Sequence, residues 1–263
     1  MTYEMLMRHA EDMRVAAVAV AMGGRPAGDR AVVEREFADL PAAFRPLLGL
    51  PDPAKYDPRI ERLAGVLSGL STGGGEQRAN PGLRDLTNVL RNWTGEAAER
   101  FRGGFLEPWP AFIRNQYTIG VVLRKALEAQ REIWELARRD ADQIGEQGLK
   151  AMRASGDCTR TEWTITFTVV ASVAAVAAVP MTGGLALAAG GIAGLAQVAA
   201  ATGPAEAPQT TFSADDPVEV ADRIREAITQ LRQHIHERWD ATAAALRATT
   251  RTIQNEPELF GWQ

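Results

Sequence analysis

The chain has 263 residues, enough for one large domain or two small ones, and its 46% hydrophobic and 24% charged content is that of a globular protein. The net charge of -4, from 29 basic and 33 acidic residues interleaved along the sequence, argues against nucleic acid as a partner. A single cysteine, Cys158, excludes an internal disulfide and any multi-cysteine metal site.

Aromatic residues are scarce, while Ala, Leu, Arg and Glu run in long stretches. Unbranched side chains lose little entropy in a helix, so the expected fold class is all-α, an elongated helical bundle. Residues 3–22 read as a first helix, ended by Gly23, Gly24 and Pro26. Glu4, Glu11 and Asp12 stand near its start and the apolar run Val15–Met22 is short, which argues against a cleaved signal peptide. A second helix is expected over about 29–44, capped by Asp29, followed by a proline-rich loop from Pro46. Ile60, Leu63, Leu67 and Leu70 recur at helical spacing, and after a Gly-rich break so do Leu83, Leu86, Leu90 and Trp93. Thr94 is positioned to cap a new helix beginning at Glu96, and Pro108 and Pro110 interrupt the chain again.

From Pro110 to about Met152 no proline occurs. Ile113, Gln116, Gly120, Leu123, Leu127, Gln130, Trp134, Ala137, Ala141, Ile144 and Gly148 alternate steps of three and four. This is a coiled-coil-like seam on one helix of roughly 65 Å, at ~1.5 Å per residue. A last helix is expected after Asp215 or Asp216 and Pro217, with a seam at Ile224, Ile228, Leu231, Ile235, Trp239, Leu246 and Ile253. Three segments follow from this reading: a bundle over 1–160, an uncharged hairpin over 161–205, and a C-terminal helix over 206–263 that packs on the bundle.

Trp93-Thr94-Gly95 lies between two amphipathic stretches and is followed by Glu96-Ala-Ala-Glu-Arg-Phe. This resembles the WXG (Trp-X-Gly) family of type VII secretion proteins, including its Ala-Ala-x-x-Phe continuation. The resemblance is specific over about 80–150. It implies a helical hairpin paired with a small helical WXG partner and recognised by the type VII secretion machinery. It also implies that Trp93 and Gly95 form the secretion or partner-recognition turn. The family's Tyr-x-x-x-Asp/Glu signal is missing, since Tyr3, Tyr56 and Tyr117 precede Met7, Ile60 and Val121 at that spacing. In length the chain resembles the larger PE/PPE-like relatives and the trafficking domains of actinobacterial toxins. Such a toxin's enzymatic end would lie beyond Gln263. The localisation implied is secreted or cell-envelope associated, without a cleaved leader.

Residues 163–205 carry no Asp, Glu, Lys, Arg or His. Two apolar arms, Trp163–Val179 and Leu185–Ala201, are joined by Pro180-Met-Thr-Gly-Gly. Each is about 26 Å as helix, a little short of the ~30 Å hydrocarbon core. Gly190 and Gly194 have the spacing that lets helices approach closely, and Trp163 and Phe167 begin the first arm. Three readings stand side by side: bundle core, conditional insertion as in a helical pore-forming toxin, and a permanent transmembrane hairpin. Trp163–Val169 also alternates with period two, as a strand does; helix is preferred there because the Ala-rich run continues it.

No phosphate loop, nucleophile elbow or zinc spacing occurs in the sequence. His234 and His236 diverge on a helix, His9 stands apart, and Asp140/Asp142 and Asp215/Asp216 fit solvated faces and caps. No catalytic, cofactor-binding or metal residue is expected, and the protein is read as non-enzymatic. A homo-oligomer and a membrane are the further partners that the seams and the hairpin admit.

Overall fold

The structure is a computed structural model that describes residues 3–23, 25–70, 85–86, 88–107, 109–156, 160–173 and 207–255. It is all-α in class, with one two-stranded ribbon among the described residues. The chain divides into two compact units. The first takes Met1–Ala54, Gln130–Ala174 and Thr202–Ala241; the second takes Lys55–Ala129, Ala175–Ala201 and Thr242–Gln263.

The first unit is built on α1 (Tyr3–Ala21), whose Leu6, Ala10, Met13 and Ala17 form one buried stripe at steps of four and three. The single helix expected over 29–44 is instead two short ones, α2 (Arg30–Glu36) and α3 (Leu40–Ala43), and a third, α4 (Arg45–Leu48), follows them. Asp29 makes no side-chain capping bond. Pro41 explains the break, because proline is tolerated only in a first turn and so marks the start of α3; Pro46 does the same for α4, where a loop was expected. Val33, Phe37, Leu40, Phe44 and Leu47 are thereby all turned into the core.

The C-terminal part of α7 (Trp109–Ala154) completes this core with Ile133, Ala137, Ala141, Ile144 and Met152. Its glycines permit close approach. A Cβ on Gly148 would stand 3.0 Å from Ile224 Cδ1 and 3.1 Å from Met13 Sδ. From the other side comes α8 (Pro217–Asn255), burying Val220, Ile224, Ala227, Ile228 and Leu231. Asp216 Oδ1 accepts from the Glu219 N–H at 2.8 Å and Glu219 Oε2 accepts from the Asp215 N–H at 3.0 Å, a reciprocal cap like a capping box. Trp239, expected on the α8 seam, is 50% exposed, and Leu123 on the α7 seam is 43% exposed.

The helix expected at the start of the uncharged stretch is a strand. β1 (Thr161–Thr166) pairs antiparallel with β2 (Gln209–Ala214), which lies within the segment 206–263 expected as the C-terminal helix. Alternation decides it: Trp163 and Ile165 turn inward while Glu162 and Thr164 turn out, as a pleated strand one face of which is buried requires. Trp163 faces Phe212 in register and the rings stack at 5.7 Å. On the outer face the Thr164 and Thr211 hydroxyls share a hydrogen bond of 3.0 Å. The Phe167 N–H donates to the Pro208 carbonyl at 3.0 Å, one step beyond the ribbon, and a 3₁₀ turn follows at Thr168–Val173. Cys158, Gly190, Gly194 and most of the two apolar arms lie outside the described residues.

The second unit contains α5 (Asp57–Leu70), which buries Leu67, then a 3₁₀ turn Leu90–Asn92, α6 (Glu96–Phe101), and the N-terminal part of α7. Gly120 on α7 lies against Leu67, whose Cδ2 would be 2.7 Å from an added Cβ.

Candidate functional site

The Trp-X-Gly segment is a turn between the 3₁₀ turn Leu90–Asn92 and α6. Trp93 is extended (φ -78°, ψ 119°) and its N–H donates to the Leu90 carbonyl at 3.1 Å. Gly95, not Thr94, is the N-cap residue of α6, and its carbonyl accepts from the N–H groups of Ala98 and Glu99 at 2.9 and 3.1 Å. Its backbone, φ 103° and ψ 171°, lies in a region that a side chain at Cβ forbids. Thr94 makes no side-chain cap because the glycine has taken the position from which a cap would act. Glu96 and Glu99 stand in the first turn of α6, where the helix dipole favours carboxylates.

Beyond α6 the backbone widens into a π turn over Arg102–Leu106, closed by the Glu107 N–H donating to the Arg102 carbonyl at 2.9 Å. Four aromatic rings run across it in a row. Trp93 meets Phe101 at 5.6 Å, Phe101 stacks on Phe105 at 5.1 Å, and Phe105 meets Trp109 at 5.0 Å. These separations are those of favourable aromatic pairs. The row is not a core: Trp93 and Phe105 are each 39% exposed. Arg102 closes the turn from behind, its Nη2 donating to the Trp93 carbonyl at 2.5 Å and to the Leu90 carbonyl at 3.2 Å.

Trp163 and Phe167 are in the first unit, buried in its core. Phe167 lies 5.2 Å from the His234 ring, and the Trp163 indole nitrogen is buried without a hydrogen-bond partner. The two expected sites, Trp93/Gly95 and Trp163/Phe167, thus belong to different units. The histidines have separate surroundings: His234 pairs with Glu237 and the well-exposed His236 with Asp240, while His9 packs by Gly145 with its Nδ1 buried and unbonded. Among the described residues no three His, Cys, Asp or Glu side chains could hold one metal ion.

Asp140 departs from the expected solvated face. It is fully buried, and it accepts hydrogen bonds from the Thr168 and Val169 N–H groups and from the Thr168 hydroxyl. Burial pushes its carboxyl above the ordinary aspartate range, against the opposing pull of those bonds and of Arg139. Sequence spacing carried no signal for Asp140 or Arg102, since both act on partners distant along the chain.

No family model, curated protein or solved structure matches this chain. Among the described residues no helix is long and apolar enough to cross a membrane.

Proposed function

We propose that this is a non-enzymatic interaction protein handled by a type VII secretion system, with the Trp93-Thr94-Gly95 turn as its recognition element. The observation that carries this reading is the exposure of Trp93 on a turn that is fixed from both sides. A core tryptophan would be enclosed, and an incidental surface tryptophan would not be backed by an arginine latch and a glycine-only backbone. Rigid, partly exposed aromatics are the residues that anchor protein interfaces, because little entropy is lost when they dock. A small helical partner or the secretion ATPase is the expected counterpart, and the destination is outside the cell or on its envelope.

The test is export in the native host. Trp93→Ala should lower the amount of protein in the culture medium while helical content and melting temperature stay near wild type. Undiminished export, or export that falls only in step with loss of fold, would sink the reading.

A second reading draws on the ribbon. β1, β2 and the Phe167–Pro208 hydrogen bond gather both ends of the uncharged stretch at one place, the arrangement that an inserting hairpin needs. On that reading the protein releases dye from liposomes on acidification. Intact liposomes across pH and lipid charge would remove it.

A further inference from the structure

Carbonyl groups at the end of a helical turn lack intrahelical donors and need partners from elsewhere. Here the carbonyls of Leu90 and of the capping residue Trp93 both receive a donor from a residue further along the chain. Arg102 Nη2 reaches back across the whole Trp-X-Gly turn to the Leu90 and Trp93 carbonyls. The Leu90 carbonyl already accepts from the Trp93 N–H, so the guanidinium is its second donor. A bond from a cation is stronger than one between neutral groups, and a cation is also favoured at the negative end of a helical turn.

The position of Arg102 in the chain matters as much as its bonds. It directly follows Phe101, the ring on which the Trp93 indole rests, and it opens the π turn. Phe101, Phe105 and Trp109 fall four residues apart, and the widened turn keeps them in one row instead of letting them wind around the helix. Gly103 and Gly104 sit inside that turn with no atom within 4 Å of an added Cβ, so nothing packs against the turn at those two positions. Arg102 thus ties the 3₁₀ turn to the start of the π turn through two hydrogen bonds.

We propose that Arg102 is the positioning residue of the recognition turn: by holding the Trp93 carbonyl it keeps the indole on Phe101, half exposed, as the end ring of the aromatic row. This rests on the reading of Trp93 as the recognition element. Without the latch, Trp93 samples other rotamers, and a partner must order it at the moment of binding.

The experiment uses the full chain labelled with 5-fluorotryptophan, with the Trp93 fluorine resonance assigned by its loss in Trp93→Phe. Arg102→Met should move the Trp93 resonance toward that of solvated indole and leave the signals of Trp134 and Trp163 in place. Export should fall about tenfold, the weight of roughly one charge-assisted hydrogen bond. Arg102→Lys, which keeps the charge with less reach, should restore part of both. An unmoved Trp93 resonance in folded Arg102→Met overturns the proposal. So does a moved resonance with unchanged export; in that case a block by Trp93→Ala leaves the recognition reading standing. If Trp93→Ala is also exported normally, the recognition reading falls with it. Should Arg102→Met fail to fold, Arg102→Lys decides by the same two readouts.

Discussion

Asp140 and Thr168 are 28 residues apart in sequence, yet the Thr168 N–H and hydroxyl both donate to Asp140 Oδ1, at 3.1 and 2.6 Å. With the Val169 N–H on Oδ2 at 2.9 Å, a side chain in the middle of α7 caps the 3₁₀ turn that follows β1. A cap usually comes from the residue next door; here it is a tertiary contact. Asp140→Ala should therefore cost about 3 kcal/mol, because it removes the acceptor of the buried Val169 N–H and of the part-buried Thr168 N–H. Thr168→Val, which removes only the hydroxyl donor, should cost about 1 kcal/mol. Urea denaturation of both variants gives the comparison, and equal costs would contradict this account.

The same carboxylate sets a pH dependence. Burial raises the Asp140 carboxyl above its ordinary range, so the folded chain holds this proton more tightly than the unfolded one. Its stabilising contribution is complete below the unfolded aspartate pKa and is lost as pH rises through the folded value. Asp140→Asn, a permanent mimic of the protonated form, should gain on wild type as pH is raised through that window. A stability difference that is flat with pH, or that runs the other way, would refute it.

Glycines on the helices separate into two kinds. At Gly148 an added methyl group meets Ile224 at 3.0 Å and Met13 at 3.1 Å, so Gly148→Ala should destabilise by about 1–2 kcal/mol despite better helix propensity. At Gly65 on α5 nothing lies within 4 Å, and Gly65→Ala should stabilise by up to about 1 kcal/mol. Thermal melts of opposite sign are expected.

At Gly95 the limit is backbone conformation, not space. No atom lies within 4 Å of an added Cβ, but φ is 103°. Gly95→Ala should cost about 1–3 kcal/mol through strain alone. A melt indistinguishable from wild type would show that the turn adopts another conformation.

Much of the helical framework could be read from periodicity. Leu6, Met13, Ile144, Ile224 and Leu231 fall at helical spacing and are buried. Trp93 and Gly95 were legible for a different reason, since a turn between two apolar stripes leaves a local signature. The strand at Trp163 was visible as alternation but lost to the pull of the Ala-rich run behind it. Its partner Phe212 could not be read at all, because pairing across such a distance leaves no mark on either segment. The Arg102 latch and the Asp140 cap leave no mark in the sequence for the same physical reason: a charged residue at a helical position looks solvated until the fold places carbonyls or N–H groups around it.

The pairing of Thr166 with Gln209 has a consequence for how the chain comes together in time. Closing so long a span costs entropy before any contact repays it, so pairing of this kind is slow when the strands must find each other unaided. Here the α7 and α8 halves of the first unit bring the strands to the same place, with Ile144 and Ile224 already in one core. The ribbon should therefore close last, as a zip fastened on a garment already cut. Mutations at Ile165 or Phe212 should speed unfolding and leave the refolding rate nearly untouched.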